Sequence, residues 1–178
     1  MKKTIVFSLL LILLVSVCLA QDIKESVLKS YSNDLYSFKY DPSVWSFAEE
    51  GDESRTVTLK YKFVEQTITL DAETGFLFQA NMPKDPMSIN EIKKNLNEVL
   101  GEIWFNAEII SVKDVKNNGA VGIETIFTSE SKNKKFKIVQ YIYRKDKNIY
   151  MFTSAAMQNE FDKAKPFLDE VIKTYIVK

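Results

Sequence analysis

The alternation of apolar and polar residues is densest between positions 135 and 156. Phe136, Ile138 and Ile142 take one parity there, and Val139, Tyr141 and Tyr143 take the other. Ile149 and Met151 then alternate with Tyr150 and Phe152. Strands apolar on both parities belong in the middle of a sheet covered on both faces. Two more strand-like runs, at 105–115 and 120–129, precede them and complete a meander. The turns fall at Asn117-Asn118-Gly119, at 131–134 and at 145–148. Asn-Gly favours a tight hairpin because both central residues need positive φ.

Upstream, residues 56–63 alternate in a simpler way. Val57, Leu59, Tyr61 and Phe63 point to one side, and Thr56, Thr58, Lys60 and Lys62 to the other, as in a half-buried strand. Residues 35–40 are β-prone and stop at Asp41-Pro42, since proline cannot continue a central strand. Ser43-Val44-Trp45 reads as a turn carrying an aromatic anchor, and Glu49, Glu50, Asp52 and Glu53 as part of an acidic loop. Residues 68–70 and 76–82 are further strand material around a turn at 71–75.

Three stretches have the helical period. Ser88 and Glu91 form a capping box ahead of Ile89, Ile92, Leu96, Val99 and Leu100, which predicts a helix over 89–100 ended by Gly101. Asp22 reads as the cap of a short first helix with Ile23, Val27, Leu28 and Tyr31 on one face, ending near Asn33-Asp34. Asn159 reads as the cap of a last helix whose stripe is Phe161, Ala164, Leu168, Val171, Ile172 and Tyr175. Pro166 interrupts that stripe and costs a hydrogen bond or a kink, unless the helix begins near Lys165. The sum is one α+β domain: an antiparallel sheet of about six to seven strands flanked by helices.

The first 20 residues read as an address. Lys2-Lys3 precedes an apolar run from Ile5 to Leu19, which ends in Cys18-Leu19-Ala20 before Gln21-Asp22. A basic start, a short apolar run and small residues before a polar switch describe a secretory signal peptide, here cleaved after Ala20. The run is short for the ~20 residues of a spanning helix. Cys18 is either the small residue of that site or a lipidated cysteine, although Val17 stands where lipoprotein leaders usually carry Gly, Ala or Ser. Residues 21–178 are then the folded domain.

Export changes the composition. The 178-residue chain has 24 basic and 24 acidic side chains, no His and one Cys. Cleavage removes Lys2, Lys3 and Cys18, leaving a slightly acidic domain without cysteine. Packing must stabilise it without a disulfide. No His–nucleophile pair, His base or His metal ligand can be built, and nothing draws the chain to nucleic acid.

Three Ser-x-x-Lys matches, at Ser26, Ser129 and Ser131, lack the Ser-Asp-Asn and Lys-Thr-Gly companions of a serine–lysine hydrolase. The acidic loop lacks the alternating ligands and closing Glu of a calcium loop. No catalytic, metal or cofactor-binding residue is assigned. A hydrolase using carboxylates alone has no sequence support, because spacing along a chain does not fix carboxylate geometry. Lys132, Lys134 and Lys135 crowd one hairpin tip, which could touch acidic lipid or a partner and is explained as well by solvation and edge protection. Trp104, Phe105 and Trp45 are the candidate binding residues. Trp104 and Phe105 are adjacent on extended backbone and face opposite ways, so one of them can be exposed, although a sheet covered on both faces would bury both. Trp45 reads more readily as a core plug beside its proline turn than as a contact residue.

The run Phe38-Lys39-Tyr40-Asp41-Pro42-Ser43-Val44-Trp45 resembles the opening strand and turn of many PsbP-like proteins. That superfamily shares its fold with the Ran guanine-nucleotide release factor and exported bacterial proteins of the DcrB and LpqN kind. The mid-chain helix, the meander, the strand Tyr150-Met151-Phe152-Thr153-Ser154-Ala155 and the closing helix agree in order over about residues 31–176. The resemblance implies an α/β/α sandwich, mostly protein partners and no shared catalytic site. The expectation is a non-catalytic envelope protein, periplasmic or extracellular, that binds another envelope protein. It takes no cofactor and no nucleic acid, and touches membrane only through a lipidated Cys18. A small-ligand or lipid carrier is the alternative, and would need a cavity above ~300 Å³.

Overall fold

The computed structural model describes residues 28–50, 56–63, 65–74 and 87–178. The leader, residues 22–27 of the predicted first helix, most of the acidic loop and the predicted strand at 76–82 lie outside them. The strands are β1 (Lys29–Ser32), β2 (Tyr36–Tyr40), β3 (Trp45–Glu50), β4 (Val57–Tyr61), β5 (Gln66–Thr74), β6 (Glu108–Asn117), β7 (Ala120–Ser131), β8 (Lys134–Lys145), β9 (Asn148–Met157) and β10 (Ile176–Val177). The helices are α1 (Ile89–Lys94), α2 (Leu96–Ile103) and α3 (Phe161–Thr174). Seven strands form one antiparallel sheet in the order β3-β4-β5-β9-β8-β7-β6. A second sheet, β1-β2-β10, was not anticipated.

The two parities of the meander strands face two separate cores. Val139, Tyr143, Tyr150 and Phe152 join Val57, Leu59, Ile68 and Leu70 beneath α3 and the small sheet. Ile138, Ile142, Ile149 and Phe127 pack with Ile92, Leu96 and Leu100 of α1 and α2. The large sheet is thus the middle layer of a sandwich. Gln140 and Thr125 interrupt the second core. Gln140 Nε2 donates to Thr153 Oγ1 at 3.1 Å, and Thr125 Oγ1 is buried without a partner.

The capping box forms as expected. Glu91 N–H donates to Ser88 Oγ at 3.2 Å, and Ser88 N–H donates to Glu91 Oε2 at 2.7 Å. Bonds from Ser88 hold the Glu91 carboxyl below its ordinary 4.5. A carboxylate with a lowered folded pKa stabilises above its unfolded pKa, and that contribution is lost as pH falls through the folded value. Ser88→Ala should therefore lower stability at neutral pH. The gap from wild type should narrow in acid below the carboxylate range, as read by urea titration across pH. A gap that widens in acid would sink this account.

Five elements differ from the sequence reading. Residues 29–32 form β1 and not a helix, because Tyr31 pairs with Phe38 across a strand ladder and stacks on its ring at 5.2 Å. The predicted turn at 71–75 is strand through Thr74, held by a nine-residue register with β9, and Glu49 and Glu50 end β3 where a loop was expected. The mid-chain helix breaks at Asn95 and then continues through Gly101 to Ile103. Asn159 is not the last cap; Glu160 is, without a side-chain bond, and Pro166 lies inside α3 with its ring exposed. The missing donor there faces solvent, and α3 still buries Phe161, Ala164, Leu168 and Val171.

The Asn117-Asn118-Gly119 turn has both expected positive φ values, 45° at Asn118 and 84° at Gly119. It also joins the two sheets. Asn117 Nδ2 donates to Tyr175 O at 2.7 Å, Asn117 Oδ1 accepts from Val177 N–H at 3.1 Å, and Asn118 Nδ2 donates to Val177 O at 2.7 Å. Asn117→Ala leaves a buried backbone donor without its acceptor. The expected loss is about 2 kcal/mol in chemical denaturation. A loss below ~0.5 kcal/mol would show that the C-terminal strand does not depend on this clamp.

Candidate functional site

The corner where α2 hands over to β6 carries two of the three candidate residues. Helix α2 ends at Ile103, and Trp104 is its C-cap, with extended backbone and its N–H on Leu100 O at 2.7 Å. Adjacent side chains then diverge. The Trp104 ring turns inward, edge-on to Phe127 at 5.8 Å, and its indole N–H is buried without an acceptor. Phe105 turns outward and is 71% exposed.

The loop beneath Phe105 is pinned to β7. Phe105 O accepts from Glu130 N–H at 3.0 Å and from Ser129 Oγ at 2.9 Å. Asn106 adopts φ 51°, and its amide donates to Glu130 Oε2 at 3.1 Å. A register shift between Ile109 and Ser111 makes Ile110 a bulge, 57% exposed. Ile103, at the end of α2, is 52% exposed. A groove of about 480 Å³ runs beside Ile110, lined by Asn106, Glu108, Glu130, Lys135 and others.

Trp45 is elsewhere. It is 2% exposed, packs at 5.1 Å on Tyr61, and belongs to the core under α3, on the opposite face of the large sheet from Trp104. It contributes to one wall of a shallow cleft of about 340 Å³ with Leu28, Tyr40 and Phe167. The three candidate residues do not form one surface, and Trp45 is a core residue. Ile103 and Ile110 were missed. Helical period marks Ile103 only weakly, and strand alternation cannot reveal a bulge.

A larger groove of about 780 Å³ opens where α1 begins beside β6, β7 and β8. Ile89, Val115 and Val121 line it with Asn90, Arg144 and Asp146. Among the described residues, no three His, Cys, Asp or Glu side chains gather as a metal site. The most developed polar constellation is a row of register partners, Lys113, Glu124 and Tyr141. Tyr141 OH donates to Glu124 Oε2 at 2.7 Å, and Lys113 Nζ lies 3.6 Å from Glu124 Oε1. Burial, and then the Glu124 carboxylate, raise the Tyr141 pKa, so the phenol keeps its proton. The row ties β6, β7 and β8 laterally.

No family model and no curated protein matches the chain in sequence. Solved structures do match in three dimensions. The cyanobacterial PsbP protein CyanoP of Synechocystis sp. PCC 6803 superposes with a TM-score of 0.59 at 13% identity, over 88% of this chain and 96% of its own. LpqN of Mycobacterium tuberculosis, described as involved in cell envelope biogenesis, gives 0.57 at 11% identity, over 89% and 96%. The Ran-binding protein Mog1p of Saccharomyces cerevisiae gives 0.56 at 11%, over 86% and 96%. The chain has the PsbP-like fold. In this chain the Phe38–Trp45 motif places β2 in the small sheet and Trp45 in the core, so its aromatic residues are structural. Function on a shared fold resides in local sites. The exposed corner at Phe105 lies far along the sequence from that motif.

Proposed function

We propose that this PsbP-like chain is an exported, non-catalytic module that binds another protein of the cell envelope through the α2–β6 corner. The observation that carries the reading is Phe105, an exposed aromatic ring on a loop whose backbone is pinned by Glu130 and Ser129. Large apolar side chains presented on a fixed loop suit association, which loses less freedom when the surface is already ordered. The leader-like N-terminus and the absence of His support export and a non-catalytic role. LpqN, which shares the fold, is described as acting in cell envelope biogenesis, and Mog1p as binding a protein.

A photo-crosslinking amino acid at position 105, introduced in the native host, tests the reading. A discrete adduct is expected from position 105 and none from position 173 on α3. No adduct at 105 would overturn it. N-terminal sequencing of the exported protein should begin at Gln21; a chain beginning at a lipid-modified Cys18 would establish the lipoprotein alternative.

The second reading, a carrier of small ligands or lipids, is favoured by the groove of about 780 Å³ beside α1. That volume exceeds the ~300 Å³ at which ligand pockets begin. Native mass spectrometry of protein purified from its host would show a retained ligand under this reading, and bare protein would count against it.

A further inference from the structure

We propose that Asn118 is a site of spontaneous deamidation, and that the docking of β10 sets its rate. Asn118 is the only asparagine in the sequence that is followed by glycine. A glycine successor brings its backbone nitrogen to the asparagine side chain with no Cβ in the way and with φ free to turn. The reaction needs nothing but water. The Gly119 nitrogen gives up its proton, attacks Cγ of Asn118 and forms a C–N bond. The Cγ–Nδ2 bond breaks, and the side-chain amide takes up that proton and leaves as ammonia. The succinimide that remains adds one water at either carbonyl and opens to aspartate or isoaspartate at position 118.

The fold supplies its own comparison. Asn106, Asn118 and Asn133 are all exposed and all hold positive φ, at 51°, 45° and 62°. Ala107 and Lys134 follow the first and the third, and only Asn118 has a glycine beyond it. Around Gly119, whose φ is 84°, nothing lies within 4 Å of the place where a Cβ would stand, so that side of the turn is open. The Asn118 side chain is nevertheless engaged. Its Nδ2, the atom that leaves, donates to Val177 O at 2.7 Å. Strand β10 is two residues long and pairs with β2 through Ser37 and Tyr36. The Lys178 N–H on Leu35 O, at 2.9 Å, and the Asn117 bonds complete its attachment. An element with so few bonds opens locally at lower cost than the whole fold, and its opening frees the Asn118 amide to react.

The product cannot close the clamp again. A carboxylate at 118 has no hydrogen to give to Val177 O and sets oxygen against oxygen. Isoaspartate also adds a methylene group to the backbone of a tight two-residue turn. Each conversion leaves β10 less firmly held, and refolding does not reverse it. The turn thus acts as a one-way timer on the seam between the two sheets.

The test is incubation of the purified protein in mildly alkaline buffer, followed by peptide mapping. Mass spectrometry with electron-transfer fragmentation separates aspartate from isoaspartate. Product should accumulate at position 118, faster as pH rises, and not at positions 106 or 133 over the same time. Asn117→Ala removes the neighbouring clamp bonds and leaves the reacting pair in place. It should speed conversion by about tenfold, the ratio that follows from losing a net hydrogen bond. Val177→Ala loosens β10 from the core side without touching the turn, and should also speed conversion if Asn117→Ala fails to fold. Asn118→Asp stands in for one product. It should lower the hydrogen-exchange protection of the Val177 and Lys178 amides by about tenfold or more. No product at 118 in the folded protein, or as much product at 133, would overturn the site. Conversion that neither Asn117→Ala nor Val177→Ala accelerates would overturn control by β10, as would unchanged protection in Asn118→Asp.

Discussion

Gly122→Ala is expected to cost about 3 kcal/mol or more of folding stability, at the upper end for overpacking a well-ordered interior. Gly122 lies directly opposite Tyr143 in the β7–β8 ladder. A Cβ there would sit 2.3 Å from Ile142 O and 2.7 Å from Tyr143 Cδ1. A flexible side-chain end could yield, but a backbone carbonyl in the longest strand pair of the sheet cannot move without opening the ladder. The ring of Tyr143 covers the glycine and takes the space a side chain would fill. Gly101 is the matched control. It lies within α2, and a Cβ there meets nothing within 4 Å. Gly101→Ala should therefore stabilise by about 0.5–1 kcal/mol, since alanine restricts the unfolded chain and suits a helix. Urea denaturation of the two variants reads both signs. A Gly122→Ala loss below ~1 kcal/mol would mean that the sheet relaxes around the new methyl more easily than its geometry implies.

Trp45→Ala is expected to cost about 3–5 kcal/mol, the range for emptying a buried aromatic site. The ring joins the β2–β3 turn to β4 through Tyr61, and Tyr61 reaches α3 through Phe167 at 5.3 Å. Removing it opens a cavity at the seam of three elements. Phe105→Ser, by contrast, should change stability by less than ~0.5 kcal/mol, because its ring faces solvent. The pair separates a core role from a surface role by chemical denaturation. If Trp45→Ala left the unfolding midpoint unmoved, Trp45 would be a surface residue after all.

Much of the fold was legible because its strongest local patterns agree with its long-range contacts. Ser88 and Glu91 cap a helix in sequence and in space. Asn118 and Gly119 turn a hairpin as their backbone preferences require. The two-sided strands at 134–157 lie between two cores, as their parities predict. The misreadings arose where a distant strand outweighed local preference. Residues 29–32 have a helical spacing upstream, but β2 offers them a ladder and a ring to stack on. The Asp71–Thr74 segment has turn composition, but β9 extends alongside it for the whole length.

The candidate site was legible only in part. The adjacency of Trp104 and Phe105 allowed one outward ring, but a sheet covered on both faces spoke for burying both. The two isoleucines beside them depend on a helix end and a bulge, which no periodicity encodes. Trp45 illustrates the converse, since an aromatic residue beside a proline turn has the same spelling whether it plugs a core or meets a partner.

Strand β2 completes its sheet only with residues 176 and 177, and the hydroxyl of Thr174 serves both the N–H and the C=O of Lys39, 135 positions earlier. Contacts this distant form late, because nearly the whole chain must be gathered before any of them is rewarded. During synthesis Tyr36 and Phe38 wait, half enclosed, for a strand that has not yet been made. Under the export proposed above, that delay keeps the first elements from locking before the closing strand, residues 176 and 177, has been made.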